Sequence, residues 1–264
     1  MRIVAVFNLS GGVGKTTLTQ NQSYHMAKRG YRTLVVDLDP QGWATHFMAD
    51  DPEDFNLTIK NLLLSENDVI SLSDIPIVKD LYGVDLIPAN LSLRIAESSL
   101  PSMAFKEYRL RRSLEPLLDL YDFLFIDCPP SMILSELALS TATDVLVPIG
   151  TNFKPVKGTD LLFATVARIR KWGNPELRIC GFVPFLYDAR RNMDNDSLEW
   201  IENNLPQVAP VFAKIRTAAA IPEAASERKP LAVYAPKHPV IKVFESIADM
   251  LEQDKSDLKL VENL

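Results

Sequence analysis

A glycine-rich segment near the start of the chain limits what it can fold into more than any other feature. The stretch FNLSGGVGKTTLT (7–19) follows a short apolar run that predicts a strand, and it precedes a pattern of helical period. Because glycine has no Cβ, successive backbone N–H groups can turn toward one anion, and the positive end of the next helix faces the same point. Strand, loop and helix together predict a phosphate-binding loop in an α/β fold.

The rest of the chain alternates short apolar runs rich in β-branched residues with longer helical patterns. This alternation is typical of a doubly wound, mostly parallel sheet flanked by helices. With 264 residues, 47% of them hydrophobic, we predict one P-loop domain over residues 1–264, from which the irregular stretch 50–80 is an excursion. Predicted strands cover 2–8, 33–39, 84–89, 122–127, 144–150 and 178–185, and predicted helices cover 15–29, 91–100, 105–120, 134–142, 157–172, 194–204 and 241–251.

Composition excludes several classes of protein. Cys128 and Cys180 lie far apart in apolar runs, which predicts reduced core residues rather than a disulfide framework or a zinc site. No segment approaches 18 uncharged apolar residues and no cleavage-site pattern follows the first strand, so we predict a cytoplasmic protein without a membrane span. The net charge of -6 argues against a wholly basic surface but leaves room for a local basic patch.

Each residue type in the glycine loop has an expected task. Lys15 reaches the outer phosphates of a nucleotide, and the Thr16 hydroxyl is a ligand for Mg²⁺. The general pattern G-x-x-x-x-G-K-[ST] is not met, because its first glycine would fall on Leu9. The loop nevertheless predicts ATP and Mg²⁺ as cofactors. Its predicted nucleotide-binding residues are Gly11, Gly12, Val13, Gly14, Lys15, Thr16 and Thr17.

Carboxylates end two of the predicted strands at the sheet edge where ligands of open α/β folds collect. Asp37 and Asp39 are two residues apart, so as strand residues they share a face. One of them can orient a water for attack on the γ-phosphate, and the other can lie near the magnesium shell. Asp127 ends another strand, where a carboxylate holds the metal through water. A lone aspartate there is more often a cap or turn former, but three around one loop favour chemistry.

Five motifs give the chain a family resemblance. SGGVGKTT, VVDLDPQGWAT, FLFIDCPPS, GFVPFLYDAR and EAASERKPLAVYAPK occur in order over nearly the whole chain and resemble the ParA branch of the ParA/MinD family of P-loop ATPases. The resemblance implies slow ATP hydrolysis, a sandwich dimer around the nucleotides, and the positioning of cargo. It also implies that Asp39 serves hydrolysis and the metal, that Asp127 is the second acidic strand end, and that nucleotide contacts near 182–187 include Pro184.

The glycine loop departs from the family pattern K-G-G-x-G-K-T at one position. Ser10 stands where the family has a lysine that crosses to the phosphates of the other subunit, and serine brings no charge to offset the facing anions. The loop PIGTNFKPVKG leaves the strand 144–150 at the same edge and opens a helix, where cations are disfavoured. We predict that Lys154 is the substitute and Lys157 the second choice, with solvated loop lysines as the alternative. Ser10 also resembles the McdA-type ATPases, which distribute carboxysomes in cyanobacteria.

Charge predicts the surface that such an ATPase holds. The C-terminal stretch DMLEQDKSDLKLVENL is more acidic than basic, unlike a membrane-binding helix. The resemblance places sequence-independent contacts to DNA phosphates in the segments YDARRN and FAKIR, although ordinary solvated charge is the alternative because aspartates lie nearby. We predict an ATP-dependent homodimer that binds non-specific DNA on the nucleoid and not the membrane. The predicted DNA-binding residues are Arg190, Arg191, Lys214 and Arg216.

Two classes of function remain open from the sequence. The first is a positioning ATPase whose cargo is carboxysomes or, alternatively, a plasmid or chromosome, with hydrolysis stimulated by a small cargo-associated activator protein. The second is a metabolic P-loop enzyme of related fold, such as an ATP-dependent ligase or an iron–sulfur reductase. Against the second, Cys180 inside a strand is poorly placed for a shared cluster, and no charged cluster marks a second substrate pocket.

Overall fold

A seven-stranded sheet forms the centre of the protein, in a computed structural model that describes residues 1–67, 69–152 and 155–261. Its strand order is β3-β4-β2-β5-β1-β6-β7, and every neighbouring pair is parallel except β3 with β4. The predicted doubly wound, mostly parallel sheet is therefore confirmed. The strands are β1 (Arg2–Val6), β2 (Thr33–Asp37), β3 (Val78–Leu81), β4 (Val84–Ile87), β5 (Phe123–Asp127), β6 (Asp144–Gly150) and β7 (Arg178–Phe185).

Helices follow most of the strands and cover both faces of the sheet. They are α1 (Lys15–Lys28), α2 (Trp43–Met48), α3 (Ile59–Leu63), α4 (Leu93–Ser99), α5 (Arg109–Leu114), α6 (Met132–Thr141), α7 (Pro155–Trp172), α8 (Asn192–Asn204), α9 (Ala220–Ser226), α10 (Leu231–Tyr234) and α11 (Ile241–Val261). None of the helices in the described ranges has the length and hydrophobicity needed to cross a bilayer.

Alternate residues of the central strands enter two separate apolar clusters. In β1, Ile3 and Ala5 pack with α3 to α7 on one face, whereas Val4 and Val6 pack with α1 and α11 on the other. Because both faces are covered, the strands read as unbroken hydrophobic runs rather than as alternating ones.

The structure differs from the local predictions in several places, and the short helices α2, α3, α9 and α10 were not predicted. The edge strand β3 was missed because VKDL is half-exposed and carries no apolar run. The predicted helix 105–120 shrinks to α5 between two short 3-10 turns, since Phe105 has a φ of 52° and Pro116 interrupts the helix. Strand β2 ends at Asp37, two residues before the predicted end, so Asp39 lies in the following loop.

The strand order brings three chemically important loops together. β5 lies between β1 and β2, with Asp127 in register with Val6 on one side and Asp37 on the other. All three strands are parallel, so the glycine loop after β1, the loop after β2 and the turn after β5 leave the sheet at the same edge. The fold thus assembles residues that are over 100 positions apart in sequence.

Candidate functional site

A cavity of about 1060 Å³ opens at this edge of the sheet. Its walls are the glycine loop with the start of α1, the segment after β2, one side of α4, the turn after β5, and the end of β7 with residues 217–226. Of the predicted nucleotide and metal residues, Gly11, Gly12, Gly14, Lys15, Thr16, Thr17 and Asp39 line the cavity.

The glycine loop is shaped to present backbone N–H groups. A Cβ on Gly11 or Gly12 would meet no atom within 4 Å, so open space faces this part of the loop. Gly14 has a φ of 92°, and a Cβ there would lie 2.6 Å from the ring of Phe185. Helix α1 begins at Lys15 without a side-chain cap, which leaves its first N–H groups to a ligand. This arrangement fits a phosphate group.

Lys15 folds back onto the loop that precedes it. Its Nζ donates hydrogen bonds to the carbonyl oxygens of Asn8, at 2.9 Å, and Ser10, at 2.7 Å. Burial lowers the pKa of Lys15, while the nearby carboxyl group of Asp127 acts in the opposite direction. Two neutral carbonyls are weaker partners for an ammonium group than phosphate oxygens are. Lys15 is therefore held in a position where an anion could replace these carbonyl oxygens as its hydrogen-bond partner.

Thr16 and Asp127 place two side-chain oxygens that could bind a metal next to each other beneath the loop. The Thr16 hydroxyl donates to Asp127 Oδ2 at 2.7 Å, and the Thr19 hydroxyl donates to Oδ1 at 3.3 Å. Burial, and then repulsion from Asp37, raises the pKa of Asp127 to about 8. A buried carboxylate beside a hydroxyl fits Mg²⁺, which is usually bound by one or two carboxylates together with substrate phosphates. The described residues contain no cluster of three or more His, Cys, Asp or Glu side chains that could hold a metal ion.

Asp37 and Asp39 occupy different environments, which corrects the prediction that both face the nucleotide. Asp37 is fully buried and does not line the cavity; its Oδ2 accepts from the backbone N–H of Thr45 at 2.8 Å and from the Thr45 hydroxyl at 2.7 Å. Its Oδ1 accepts from the backbone N–H of Asp39 at 3.0 Å. Burial raises the pKa of Asp37 to about 7. Because its oxygens are occupied, Asp37 holds the turn that presents Asp39.

Asp39 is the carboxylate that faces the cavity. Partial burial raises its pKa, and the positive charges of Lys15 and Arg94 oppose this effect whereas Glu97 reinforces it. Its Oδ1 accepts the backbone N–H of Gln41 at 2.9 Å, which leaves Oδ2 without a protein donor among the described residues. A carboxylate so placed can hold and deprotonate a water.

The end of β6 and the described part of α7 around Gly158 lie close to the glycine loop. The Asn8 amide donates to the carbonyl of Pro148 at 2.8 Å and accepts the N–H of Ser10 at 2.9 Å. A Cβ on Gly158, in the first turns of α7, would lie 3.9 Å from the Ser10 hydroxyl. Lys154 lies outside the described residues, as does the side chain of Lys157. The side chain of Val13, a residue predicted to bind the nucleotide, is buried and faces Gly150 at the end of β6.

The two basic segments predicted to bind DNA come together beyond β7. Tyr187 pairs with Arg216 in a short bridge, and the Lys214 ammonium lies 5.2 Å from the centre of the Tyr187 ring. Arg190 and Arg191 follow in the same loop, but Arg190 makes two hydrogen bonds to the Asp188 carboxylate, at 2.9 and 2.8 Å. The four basic residues therefore share one region, in which Asp188 offsets part of the charge.

Some residues that line the cavity were not predicted, and one predicted nucleotide contact, Pro184, lies next to lining residues rather than among them. Pro184 is buried in β7 and its carbonyl accepts the N–H of Ile215, whereas the next residues, Phe185 and Leu186, line the cavity. Residues 217–219 and the start of α9 form another part of the wall. The motif EAASERKP marked this region but not its contact with the cavity. No sequence signal pointed to Arg94 and Glu97, which also line it.

Comparison with known proteins gives matches in sequence and in structure. A family model described as an AAA domain matches residues 1–179. The sporulation initiation inhibitor protein Soj of Bacillus subtilis is 33% identical over 248 residues, which span 94% of this chain and 96% of Soj.

Two solved structures are similar over almost the whole chain. The crystal structure of cobyrinic acid a,c-diamide synthase from Mycobacterium smegmatis with ADP and magnesium is 30% identical, with a TM-score of 0.80, over 96% of this chain and 94% of that one. An ATP complex of a variant McdA from Cyanothece has a TM-score of 0.84 over 96% of both chains. At 23% identity, this second match shows a shared fold.

Proposed function

Because this chain belongs to the ParA/MinD family of P-loop ATPases, we propose that it is a positioning ATPase whose ATP-bound dimer binds DNA. The proposal takes residues 1–264 as a single domain. The observation that carries it is the convergence of Lys15, Thr16 and Asp39 on one cavity, with Asp127 directly beneath. The relatives with ADP and magnesium, or with an ATP analogue and magnesium, support ATP and Mg²⁺ as the ligands of this cavity.

The residues of the cavity divide the work of hydrolysis. When bound, ATP supplies the phosphoanhydride bond that is broken and magnesium neutralises its charge. Lys15 would exchange its carbonyl partners for phosphate oxygens, and the Thr16 hydroxyl and Asp127 would hold the metal. Asp39 orients a water in line with the outer phosphate and takes up its proton. Asp37 touches none of these groups and keeps the Asp39 turn in place.

Two substitutions separate nucleotide binding from hydrolysis. In Lys15→Ala, binding of ATP should be lost, because the carbonyl-held ammonium is the main cation of the loop. In Asp39→Ala, ATP should still bind but phosphate release should fall at least about 100-fold, the usual range for a general base. Calorimetry and a phosphate-release assay distinguish the two. Hydrolysis that is unchanged in Asp39→Ala would contradict the assignment.

We propose that a cation from the segment after β6 replaces the lysine missing at Ser10. The hydrogen bond from Asn8 to Pro148 in β6, and the position of Gly158, where a Cβ would lie 3.9 Å from the Ser10 hydroxyl, support this, because residues on both sides of that segment lie beside the glycine loop. Lys154 is our first choice and Lys157 the second. Lys154→Ala should abolish ATP-dependent dimers and leave binding of a single nucleotide largely intact, measured by light scattering and calorimetry. Unchanged dimerisation in both single variants and in the double variant would remove the idea.

We propose that Arg190, Arg191, Lys214 and Arg216 contact DNA phosphates. Their common location beyond β7 supports the proposal, and a dimer would double the charge they present. DNA retention should require ATP and should fall steeply with salt. Equal retention of nucleotide-free and ATP-bound protein would contradict it. On this proposal the protein is cytoplasmic and associated with the nucleoid.

The cargo is a finer proposal with two candidates. Ser10 favours carboxysomes, by its resemblance to the McdA-type loop. The identity with Soj, and with a chromosome partitioning protein ParA from Myxococcus xanthus, favours a chromosome or plasmid. In either case we propose a small cargo-associated activator that stimulates hydrolysis. Imaging of the labelled protein together with carboxysomes and with replication origins decides between the candidates, since only one of them should lose its regular spacing in a Lys15→Ala strain.

A metabolic enzyme is the second candidate class, favoured by the name of the mycobacterial structure that is 30% identical. Its test is the stimulation of ATP turnover. A positioning ATPase should respond to DNA and a protein partner and should be indifferent to cobyrinic acid. Turnover that rises with cobyrinic acid and ignores DNA would reverse our choice.

A further inference from the structure

Arg94 in α4 is, with Lys15, one of two cations lining the cavity in the described part of the chain. The opposite side of α4 is fixed in the core, because Leu93, Ala96 and the following Leu100 are fully buried. The helix therefore cannot rotate without exposing apolar surface, and this fixes the side from which Arg94 projects.

The cavity side of α4 is also fastened to the turn after β5. Glu97 lies one helical turn after Arg94, on the same side of the helix, and accepts a short hydrogen bond from the Ser131 hydroxyl. Ser131 follows Asp127 by four positions and also lines the cavity. Among the described residues Arg94 forms no ion pair, with Glu97 or any other carboxylate. Its guanidinium is thus positioned at the cavity and available to an anion.

The charges of the residues that line the cavity indicate a role for Arg94. Lys15 and Arg94 are balanced by Asp39 and Glu97, so without Arg94 the wall would be negative, and Ser10 adds no charge. Arg94 and Lys15 both act on Asp39, since each opposes the rise of its pKa. The Arg94 guanidinium therefore acts on the same region as Lys15 and Asp39, the two groups that act on the outermost phosphate.

We propose that Arg94 binds the terminal phosphate of the nucleotide held in its own chain's cavity. This inference rests on the ATPase function proposed above and adds a specificity residue to it. The planar fork of a guanidinium matches two phosphate oxygens at once. A contact with the terminal phosphate distinguishes ATP from ADP and neutralises charge before a second subunit arrives. A lysine from the segment after β6 would then act across the dimer, and Arg94 within the monomer.

The test compares the affinities of two nucleotides for Arg94→Gln. Calorimetry is run with ADP and with a non-hydrolysable ATP analogue, both with magnesium, at protein concentrations where light scattering shows a monomer. We expect affinity for the ATP analogue to fall about ten-fold or more and affinity for ADP to change less than about two-fold. Arg94→Lys should recover part of the loss, because it keeps the charge without the fork. Arg111→Gln is the matched control, since Arg111 is exposed on α5 and does not line the cavity.

Other outcomes of these titrations would overturn the assignment of Arg94. An equal loss for ADP and the ATP analogue, or no loss for either, would overturn the assignment to the terminal phosphate. A defect that appears only at concentrations where the chain dimerises would place the guanidinium on the partner's nucleotide and would overturn it as well. Nucleotide binding by the unaltered chain is the separate test of the proposed function. If that binding is present and Arg94→Gln behaves as the unaltered chain does, only this inference fails.

Discussion

Replacement of Thr45 by valine tests the claim that a buried carboxylate holds the catalytic turn. The Thr45 hydroxyl donates to Asp37 Oδ2 at 2.7 Å and accepts the backbone N–H of Ala89 at 3.0 Å, and both residues it joins are fully buried. Valine keeps the shape of threonine and removes the hydroxyl. The variant therefore deletes these two hydrogen bonds and little else.

The size of the effect follows from the two partners that are left behind. A hydrogen bond to a charged group contributes about 1.5–3 kcal/mol, and a buried N–H without a partner costs about 1–3 kcal/mol. We therefore expect the free energy of unfolding to fall by about 3 kcal/mol or more. For a chain of this size, a loss of about 3 kcal/mol lowers Tm by roughly 6 °C. The Thr45 bonds also lower the pKa of Asp37, so that pKa should rise further in the variant.

The assays are urea unfolding without nucleotide, nucleotide titration, and phosphate release. Since Asp37 also holds the backbone of Asp39, we expect phosphate release to fall about ten- to hundred-fold while the Kd for nucleotide changes little. Thr141→Val is the matched control, because the Thr141 hydroxyl is buried but bonds only the carbonyl of Leu137 within its own helix. A Thr45→Val variant as stable and as active as Thr141→Val would refute the reasoning.

Three further predictions concern the loop, a buried ion pair and the basic surface. Gly14→Ala should destabilise the chain and abolish nucleotide binding, because the φ of Gly14 is 92° and a Cβ there would lie 2.6 Å from an aromatic ring. Gly30 has a φ of 88° but faces open space, so the control Gly30→Ala should lower the free energy of unfolding, measured in urea, by only about 1 kcal/mol. Although burial raises the pKa of Asp144, its hydrogen bonds and ion pair with Arg2 hold that pKa below the ordinary value of 3.8. The stability advantage over Asp144→Asn should therefore be complete above pH 3.8 and vanish as the pH falls through the lowered pKa; an advantage that grows toward low pH would contradict this. Asp188→Asn should tighten DNA binding, because it frees Arg190 from its carboxylate partner. The slope of the logarithm of the binding constant against the logarithm of the salt concentration should become steeper by about one. Unchanged filter-binding curves would show that Arg190 does not contact the DNA.

The sequence predicted how the glycine loop is arranged between β1 and α1. The glycine loop, Lys15 and Thr16 are contiguous, so backbone geometry and helix direction decide their arrangement within a few residues. The parallel sheet was also predictable, because strands buried on both faces give unbroken apolar runs. These features depend on neighbouring residues alone.

The parts that were missed depend on contacts between distant segments. The difference between Asp37 and Asp39 arises because β2 ends at Asp37 and Thr45, eight residues later, occupies its carboxylate. Arg94 reaches the cavity only because α4 packs its apolar side into the core beside the turn after β5. No periodicity in the sequence encodes such an approach, since it is fixed by how the layers pack.

The central claim is that ATP joins two copies of this chain. Light scattering on the unaltered protein with magnesium and a non-hydrolysable ATP analogue measures this directly. We predict that the mass doubles from 29.6 kDa with the analogue and stays at 29.6 kDa with ADP. A mass of one chain under both conditions, with nucleotide binding verified by calorimetry in the same sample, would contradict the account.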